Sequence, residues 1–284
     1  MSRSNYAELI RSGALELRQA GIDDPVREAR QILRLASGLS TAELIAREKD
    51  KPPADTLAKF EALIRKRAQR MPFAHLSGSA EFYGLTLKSD HRALIPRPDS
   101  ECVVDLALSY VPADAIWAIA DLGTGTGALL AAVLDQRPKS KGIAVEASAD
   151  AADLAAENFE ALSLSDRTQV FRGSWADWRD WRTCDLIISN PPYIRSHVIA
   201  ELEPEVRDHD PRDALDGGSD GLTAYREIIT LAADDVKRGA HLILEIGYDQ
   251  KAAVTALLER EGFAHLQHAQ DLGGNDRAIA ATKT

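Results

Sequence analysis

Apolar residues recur three and four positions apart through the first 74 residues, with polar residues between them. That spacing marks amphipathic helices. In NYAELIRSGALELRQAG, Leu9, Ile10, Leu15 and Leu17 form one broad stripe, and Gly21 follows the last turn as a C′ glycine. DPVREARQILRLASG opens with Asp24 as N-cap and Pro25 at the first helical position, and closes at Gly38. STAELIARE offers Ser40 or Thr41 as N-cap, and PADTLAKFEALIRKRAQR repeats Leu57, Phe60, Leu63 and Ile64 at helical spacing. The expectation is a small all-α domain over residues 1–74.

The period then shortens to two. Residues 75–99 alternate over short stretches, carry turn residues at Lys88-Ser89-Asp90, and end in the rigid Pro96-Arg97-Pro98. A β-hairpin linker is expected there. Over residues 100–284, strand-length apolar runs such as AIWAIADLG, GIAVEAS, TQVFRG, CDLIIS and HLILEIGYD are interleaved with helical patterns such as GALLAAVLDQ, ADAADLAAENFEAL, LTAYREIITLAADDVKRG and QKAAVTALLEREG. Strands alternating with helices predict an α/β domain with a mostly parallel, doubly wound sheet. The last two strands, around FAHLQHAQ and DRAIAAT, have no helix between them, so one is expected to run antiparallel.

Composition narrows the setting. Of 284 residues, 45% are hydrophobic and 27% charged, an ordinary globular balance with enough chain for two cores. No apolar run reaches membrane-spanning length, and MSRSNYAELIRSG lacks the apolar stretch and cleavage site of a signal peptide. Two distant cysteines, Cys102 and Cys184, point to a reducing cytoplasm rather than a disulfide framework or zinc site. His265 and His268 lie close together in an alternating segment, and no metal site is expected from them. The net charge of −10 is uneven: residues 1–75 hold 14 Lys and Arg against 10 Asp and Glu, and the remainder 20 against 34. A protein that grips duplex DNA carries a basic footprint on its main binding face. Here only the N-terminal part is basic, so no stable nucleic-acid partner is expected.

Two stretches carry candidate chemistry. DLGTGTGALL, from Asp121, follows a strand and opens a helix, where an open α/β sheet binds ligands. Gly123, Gly125 and Gly127 let the backbone turn tightly and pass close to a ligand, with Thr124 and Thr126 between them. The spacing is not the G-x-G-x-x-G of pyrophosphate-binding folds. The next strand ends in Glu146, an acceptor for the hydroxyls of a ribose. Together they indicate an adenosine-containing ligand and leave its identity open. Trp175, after the third strand, offers a face for a purine ring, although core packing is the competing use of three clustered tryptophans. The fourth strand delivers Asn190-Pro191-Pro192-Tyr193 to the same edge. The Asn190 side-chain oxygen and the Pro191 carbonyl are acceptors held in a rigid corner. Two such acceptors suit both hydrogens of a planar –NH₂ group, with Tyr193 lying against the flat group that bears it.

The glycine turn, the acid on strand two and NPPY after strand four together resemble the Rossmann-like class I methyltransferases that use S-adenosyl-L-methionine. Within them NPPY marks enzymes acting on planar nitrogen, either adenine N6 in nucleic acids or glutamine N5 in proteins. SGSAEFYGLTL, ALIPRPDSE, DLGTGTG, SNPPYI, PRDALDGGSDGLTAYREII, LEIGYDQ and DLGGNDRAI resemble, in order, the release-factor glutamine methyltransferases (PrmC/HemK family), over nearly the whole chain. The resemblance implies methyl transfer to the glutamine N5 of the GGQ motif in peptide chain release factors, leaving S-adenosyl-L-homocysteine. It implies that Gly123 to Gly127 surround the methionine part of the cofactor, Glu146 holds the ribose and Trp175 borders the adenine. Asn190, Pro191, Pro192 and Tyr193 would clasp the glutamine amide, with Asn190 between cofactor and substrate. The N-terminal helices would read the release factor. Ser174 stands where relatives often carry an acid, and Glu146 replaces a more usual Asp. An adenine-N6 methyltransferase is the main rival, opposed by the acidic balance after residue 75. A non-catalytic adenosyl binder would not need an intact NPPY corner, and the glycine spacing disfavours a dehydrogenase.

Overall fold

The computed structural model describes residues 5–284. The chain forms two compact units, Met1–Gly78 and Ser79–Thr284. The first holds α1 (Tyr6–Gln19), α2 (Pro25–Ser37), α3 (Thr41–Ala46), α4 (Ala54–Ala68) and α5 (Phe73–Ser77). Its core is built from Tyr6, Leu9, Leu17, Ile32, Leu33, Phe60 and Ile64.

Two local expectations are corrected in this unit. The buried stripe of α1 runs through Tyr6, Leu9, Gly13, Ala14 and Leu17, and Leu15 is 56% exposed. Close approach of α4 decides the inward face: a Cβ on Gly13 would lie 2.7 Å from the Phe60 ring. Asp24 occupies the N-cap position of α2 without capping it. Its backbone is left-handed (φ +46°), whereas a cap needs an extended residue to bring the carboxylate over the first turn. Ser40 does cap α3, in a reciprocal box with Glu43. Asn5 and Glu8 form the same box on α1, a signal present in the sequence and passed over.

The second unit opens with an antiparallel hairpin, β1 (Ser79–Phe82) and β2 (Leu85–Lys88). Its turn is Tyr83-Gly84, both with positive φ (+50° and +78°), as a two-residue hairpin of matching twist requires. Lys88-Ser89-Asp90, expected as the turn, lie after it. The hairpin and the proline segment belong to this unit. There follow α6 (Glu101–Tyr110), β3 (Ala118–Leu122), α7 (Ala128–Gln136), β4 (Lys141–Glu146), α8 (Ala149–Ala161), β5 (Thr168–Arg172), β6 (Leu186–Ser189), α9 (Pro204–Arg207), α10 (Thr223–Asp235), β7 (His241–Glu245), α11 (Lys251–Arg260), β8 (Phe263–Gln270) and β9 (Asp276–Lys283).

The seven-stranded sheet has the order β5-β4-β3-β6-β7-β9-β8. Strands β3 to β7 run parallel to one another, and β9 is antiparallel to both β7 and β8. Side chains alternate across it. Ile119, Ile188 and Ile243 join Val104, Leu130 and Phe159 on the α6–α7–α8 side. Leu122, Ile187 and Leu244 join Tyr225, Ile228 and Leu258 on the α10–α11 side. Burial on both faces is why these strands read as unbroken apolar runs. The strand order reverses between β3 and β6, and the carboxyl edge at such a reversal is where open sheets hold ligands.

Candidate active site

The glycine turn joins β3 to α7. Gly123, Gly125 and Gly127 all have positive φ (+69°, +55° and +83°). Gly127 is required twice over, since a Cβ there would also lie 2.8 Å from the Phe159 ring. Thr124 Oγ1 donates to Asp121 Oδ2 at 2.6 Å. At the end of β4, Glu146 accepts the Gly125 N–H at 2.9 Å on Oε2 and the Ser148 N–H at 3.0 Å on Oε1. Each carboxylate oxygen has two lone pairs, so both keep one for another donor. After β5, the Trp175 ring covers Gly123, its Cζ3 3.6 Å from where a Cβ would sit. The Ser174 hydroxyl donates to Asp177 at 2.7 Å.

The β6 end is pinned to β3 by Ser189 Oγ, which donates to the Leu122 carbonyl at 2.7 Å. Asn190 follows, and its Nδ2 donates to Ser100 Oγ at 3.4 Å, which leaves Oδ1 as an acceptor. Beyond the prolines the chain runs beside residues 215–218: Ile194 bridges to Asp216, and a Cβ on Gly217 would come within 2.8 Å of Tyr193 Cα. Gly217 lies in PRDALDGGSDG, and only the close backbone approach explains it.

These elements enclose a cavity of about 500 Å³, within the size range of small-molecule sites. Gly123, Thr124, Gly125, Thr126, Glu146, Trp175, Asn190 and Pro192 line it, as does Ser174. Gly127, Pro191 and Tyr193 do not. Tyr193 turns away from the cavity, and its phenol donates to Glu245 Oε1 at 3.1 Å. Burial and the Glu245 charge push that phenol well above its ordinary pKa. Sequence reasoning missed Ser100, Asp121, Arg92 and Arg97 in the wall. Both arginines are already paired, Arg92 with Asp90 and Glu157 and Arg97 with Asp210 at 2.5 Å, so neither offers a free charge to a phosphate.

The wall fits an adenosyl amino acid. Glu146 presents acceptors for ribose hydroxyls, and Trp175 presents an aromatic face. Asp121 Oδ1 is buried without a hydrogen bond, and a buried acceptor of that kind calls for a donor such as an ammonium group. Burial, reinforced by the Glu146 charge, raises the Asp121 pKa to about 7, and a cation beside it would bring it down. The acid was visible as the first letter of DLGTGTG, but its lack of a partner was not.

Known proteins agree with this geometry. Residues 8–78 match the family described as PrmC N-terminal domain, and residues 104–203 the family described as Methyltransferase small domain. A release factor glutamine methyltransferase of Caulobacter vibrioides is 39% identical over 267 residues, covering 94% of this chain and 92% of its own. One from Agrobacterium fabrum is 39% identical, covering 96% and 95%. One from Cereibacter sphaeroides is 38% identical, covering 97% of both chains. Identity at this level over almost the full length of each relative, together with a cavity whose wall has the glycine turn, the ribose-type acid and the asparagine corner in one place, leaves a single assignment: the chain belongs to the release factor glutamine methyltransferase family.

Proposed function

We propose that this protein methylates the N5 amide nitrogen of the glutamine in the GGQ motif of peptide chain release factors, with S-adenosyl-L-methionine as donor. One observation carries the reading. The Asn190 amide is at the cavity wall with its NH₂ tied to Ser100, which turns its oxygen into the free acceptor. The Asn190 oxygen takes a hydrogen of the substrate –NH₂, orients its nitrogen and stabilises the positive charge that grows on it.

When bound, S-adenosyl-L-methionine supplies an electrophilic sulfonium methyl group to that nitrogen. The chain's own part is positioning. Glu146 accepts from the ribose, Trp175 covers the base, the loop from Gly123 to Gly127 surrounds the methionine part, and Asp121 Oδ1 accepts from its ammonium. The Ser174 oxygen has a lone pair for the adenine amino group because its hydrogen is committed to Asp177. Among the described residues no His, Cys or Lys lines the cavity, and the reaction is driven by alignment and charge stabilisation. The first unit, whose segment 1–75 is net basic, reads the release factor away from the reacting glutamine. The cytoplasm is the proposed location, and among the described residues no helix is long and apolar enough to cross a membrane.

Labelled S-adenosyl-L-methionine, offered with release factor, its GGQ→GGA variant and duplex DNA in parallel, tests the reaction. Label is expected in the intact factor alone. Label in DNA would select the adenine-N6 alternative, and equal label in the GGA variant would remove glutamine as acceptor. Removing residues 1–75 should weaken methylation of the intact factor more than that of a short GGQ peptide, and equal losses on both would end the recognition role.

A further inference from the structure

Two stretches, LEIGYDQ after β7 and DGGSDG before α10, have no role in the reaction described so far, and one side chain joins both to the NPPY corner. Gln250, the last residue of LEIGYDQ, is 4% exposed. Its Nε2 donates to the Tyr193 carbonyl at 3.0 Å and to the Gly221 carbonyl at 3.1 Å. Its Oε1 accepts the Gly247 N–H at 2.9 Å. The Tyr225 hydroxyl on α10 shares its hydrogen between the Glu245 carbonyl at 2.8 Å and the same Oε1 at 3.3 Å. A backbone N–H only donates and a carbonyl only accepts, so these partners leave the amide a single orientation. Both of its hydrogens belong to carbonyls, one of them that of Tyr193.

The backbone around this amide is shaped to admit it. A Cβ on Gly221, whose φ is +76°, would lie 2.5 Å from the Tyr193 oxygen and 2.7 Å from Gln250 Nε2. A Cβ on Gly247 would lie 2.8 Å from Gln250 Oε1. Past Tyr193 the chain pairs with the same loop: the Ile194 N–H donates to the Leu215 carbonyl at 2.9 Å, and the Gly217 N–H to the Ile194 carbonyl at 2.8 Å. Upstream, Ser189 is tied to Leu122 on β3. The corner is therefore fixed at both ends, by the sheet before Asn190 and by Gln250 after Pro192. Between them neither proline has an N–H for a local turn bond, so the setting of the corner depends on its two anchors.

We infer that Gln250 is a positioning residue for methyl transfer: by holding the Tyr193 and Gly221 carbonyls together it fixes the downstream end of the corner, and with it the place of the Asn190 amide oxygen in the cavity wall. Gln250 does not itself line the cavity, so its effect on the reaction passes through the corner. The Tyr193 phenol is held separately by Glu245 at 3.1 Å, but that contact acts at the end of a side chain with two rotatable bonds. Gln250 acts on the backbone. The inference rests on the reading that Asn190 Oδ1 accepts from a substrate –NH₂.

Gln250→Met keeps the length of the side chain and removes its hydrogen bonds. The full-length wild type, Gln250→Met, Asn190→Ala and the double variant are assayed for kcat and KM on release factor, for S-adenosyl-L-homocysteine binding by calorimetry, and for melting temperature. A misplacement of about 1 Å costs up to roughly 10²-fold, so Gln250→Met should lose about 10- to 100-fold in kcat while product-analogue affinity stays within about threefold. Placed on Asn190→Ala, the same substitution should cost less than about threefold more, because the residue acts through that amide. A purely structural role would lower the melting temperature and leave kcat unchanged below it. Wild-type kcat in Gln250→Met, a loss confined to product-analogue affinity, or losses that multiply in the double variant would overturn the inference. Should Gln250→Met melt below the assay temperature, Gln250→Asn, whose amide falls one methylene short of the two carbonyls, takes its place with the same outcomes. A wild type that transfers no methyl group to the factor would instead refute the underlying reading of the site.

Discussion

The two loops that share the cavity wall are built by opposite means. The glycine turn after β3 puts three residues in left-handed backbone and uses its N–H groups, one of them given to Glu146 at 2.9 Å. The corner after β6 has two prolines, no N–H at either, and works through acceptors. Their supports differ as well. The turn is held by neighbours: Thr124 bonds an acid three residues earlier, and Gly125 one on the adjacent strand. The corner is held from far along the chain, by Ser100 ninety residues before Asn190 and by Glu245 and Gln250 more than fifty residues after Tyr193. Donor chemistry can be assembled locally from a flexible backbone, whereas a rigid, donor-free corner must borrow its orientation from elsewhere.

Three experiments separate the two sides. Asn190→Ala should lower turnover by ~10²–10³-fold, the cost of losing one contact to developing charge, with S-adenosyl-L-homocysteine still bound. Near wild-type turnover would remove the acceptor role of the corner. Gly127→Ala should act on the other side, through both positive φ and the Phe159 ring 2.8 Å from the new Cβ. Strain of this kind costs about 1–3 kcal/mol, read as a lower melting temperature with weaker binding of the product analogue. An unchanged melting curve would show that the turn relaxes at no cost and is not the rigid half of the comparison.

The smallest effect concerns pH. Each side holds one buried acid, Asp121 beside the turn and Glu245 behind the corner, and burial raises both to about 7 from ordinary values of 3.8 and 4.5. A carboxyl raised on folding contributes stability that is complete below its unfolded pKa and is lost as pH rises through its folded one. Glu245→Gln removes this dependence. The melting-temperature difference between variant and wild type should therefore move in the variant's favour by a few degrees between about pH 5 and about pH 8. Parallel curves would mean that Arg277 and Tyr193 already compensate the charge, and that the two acids are not equivalent.

Much of the fold could be read from local chemistry. Apolar runs on β3, β4, β6 and β7 marked strands buried on both faces, and the missing helix between β8 and β9 marked the antiparallel member. Errors fell where a local signal competed with a neighbour. Gly13 drew α4 close and rotated the buried face away from Leu15. Tyr83-Gly84 took the hairpin turn because both residues accept positive φ, ahead of a more polar triplet.

The site divides in the same way. The sequence by itself determined that three glycines would turn the loop after β3 tightly, that an acid would end β4, and that prolines would strip donors from the corner. Backbone freedom and the donor and acceptor content of each residue type are properties of the residue itself. Only the tertiary structure decided that Tyr193 points inward to Glu245, that Asp121 has an oxygen without a partner, and which atom of the Asn190 amide meets the cavity. The direction of a buried hydrogen bond depends on the partner that folding delivers, and here Ser100 and Glu245 arrive from ninety and fifty residues away.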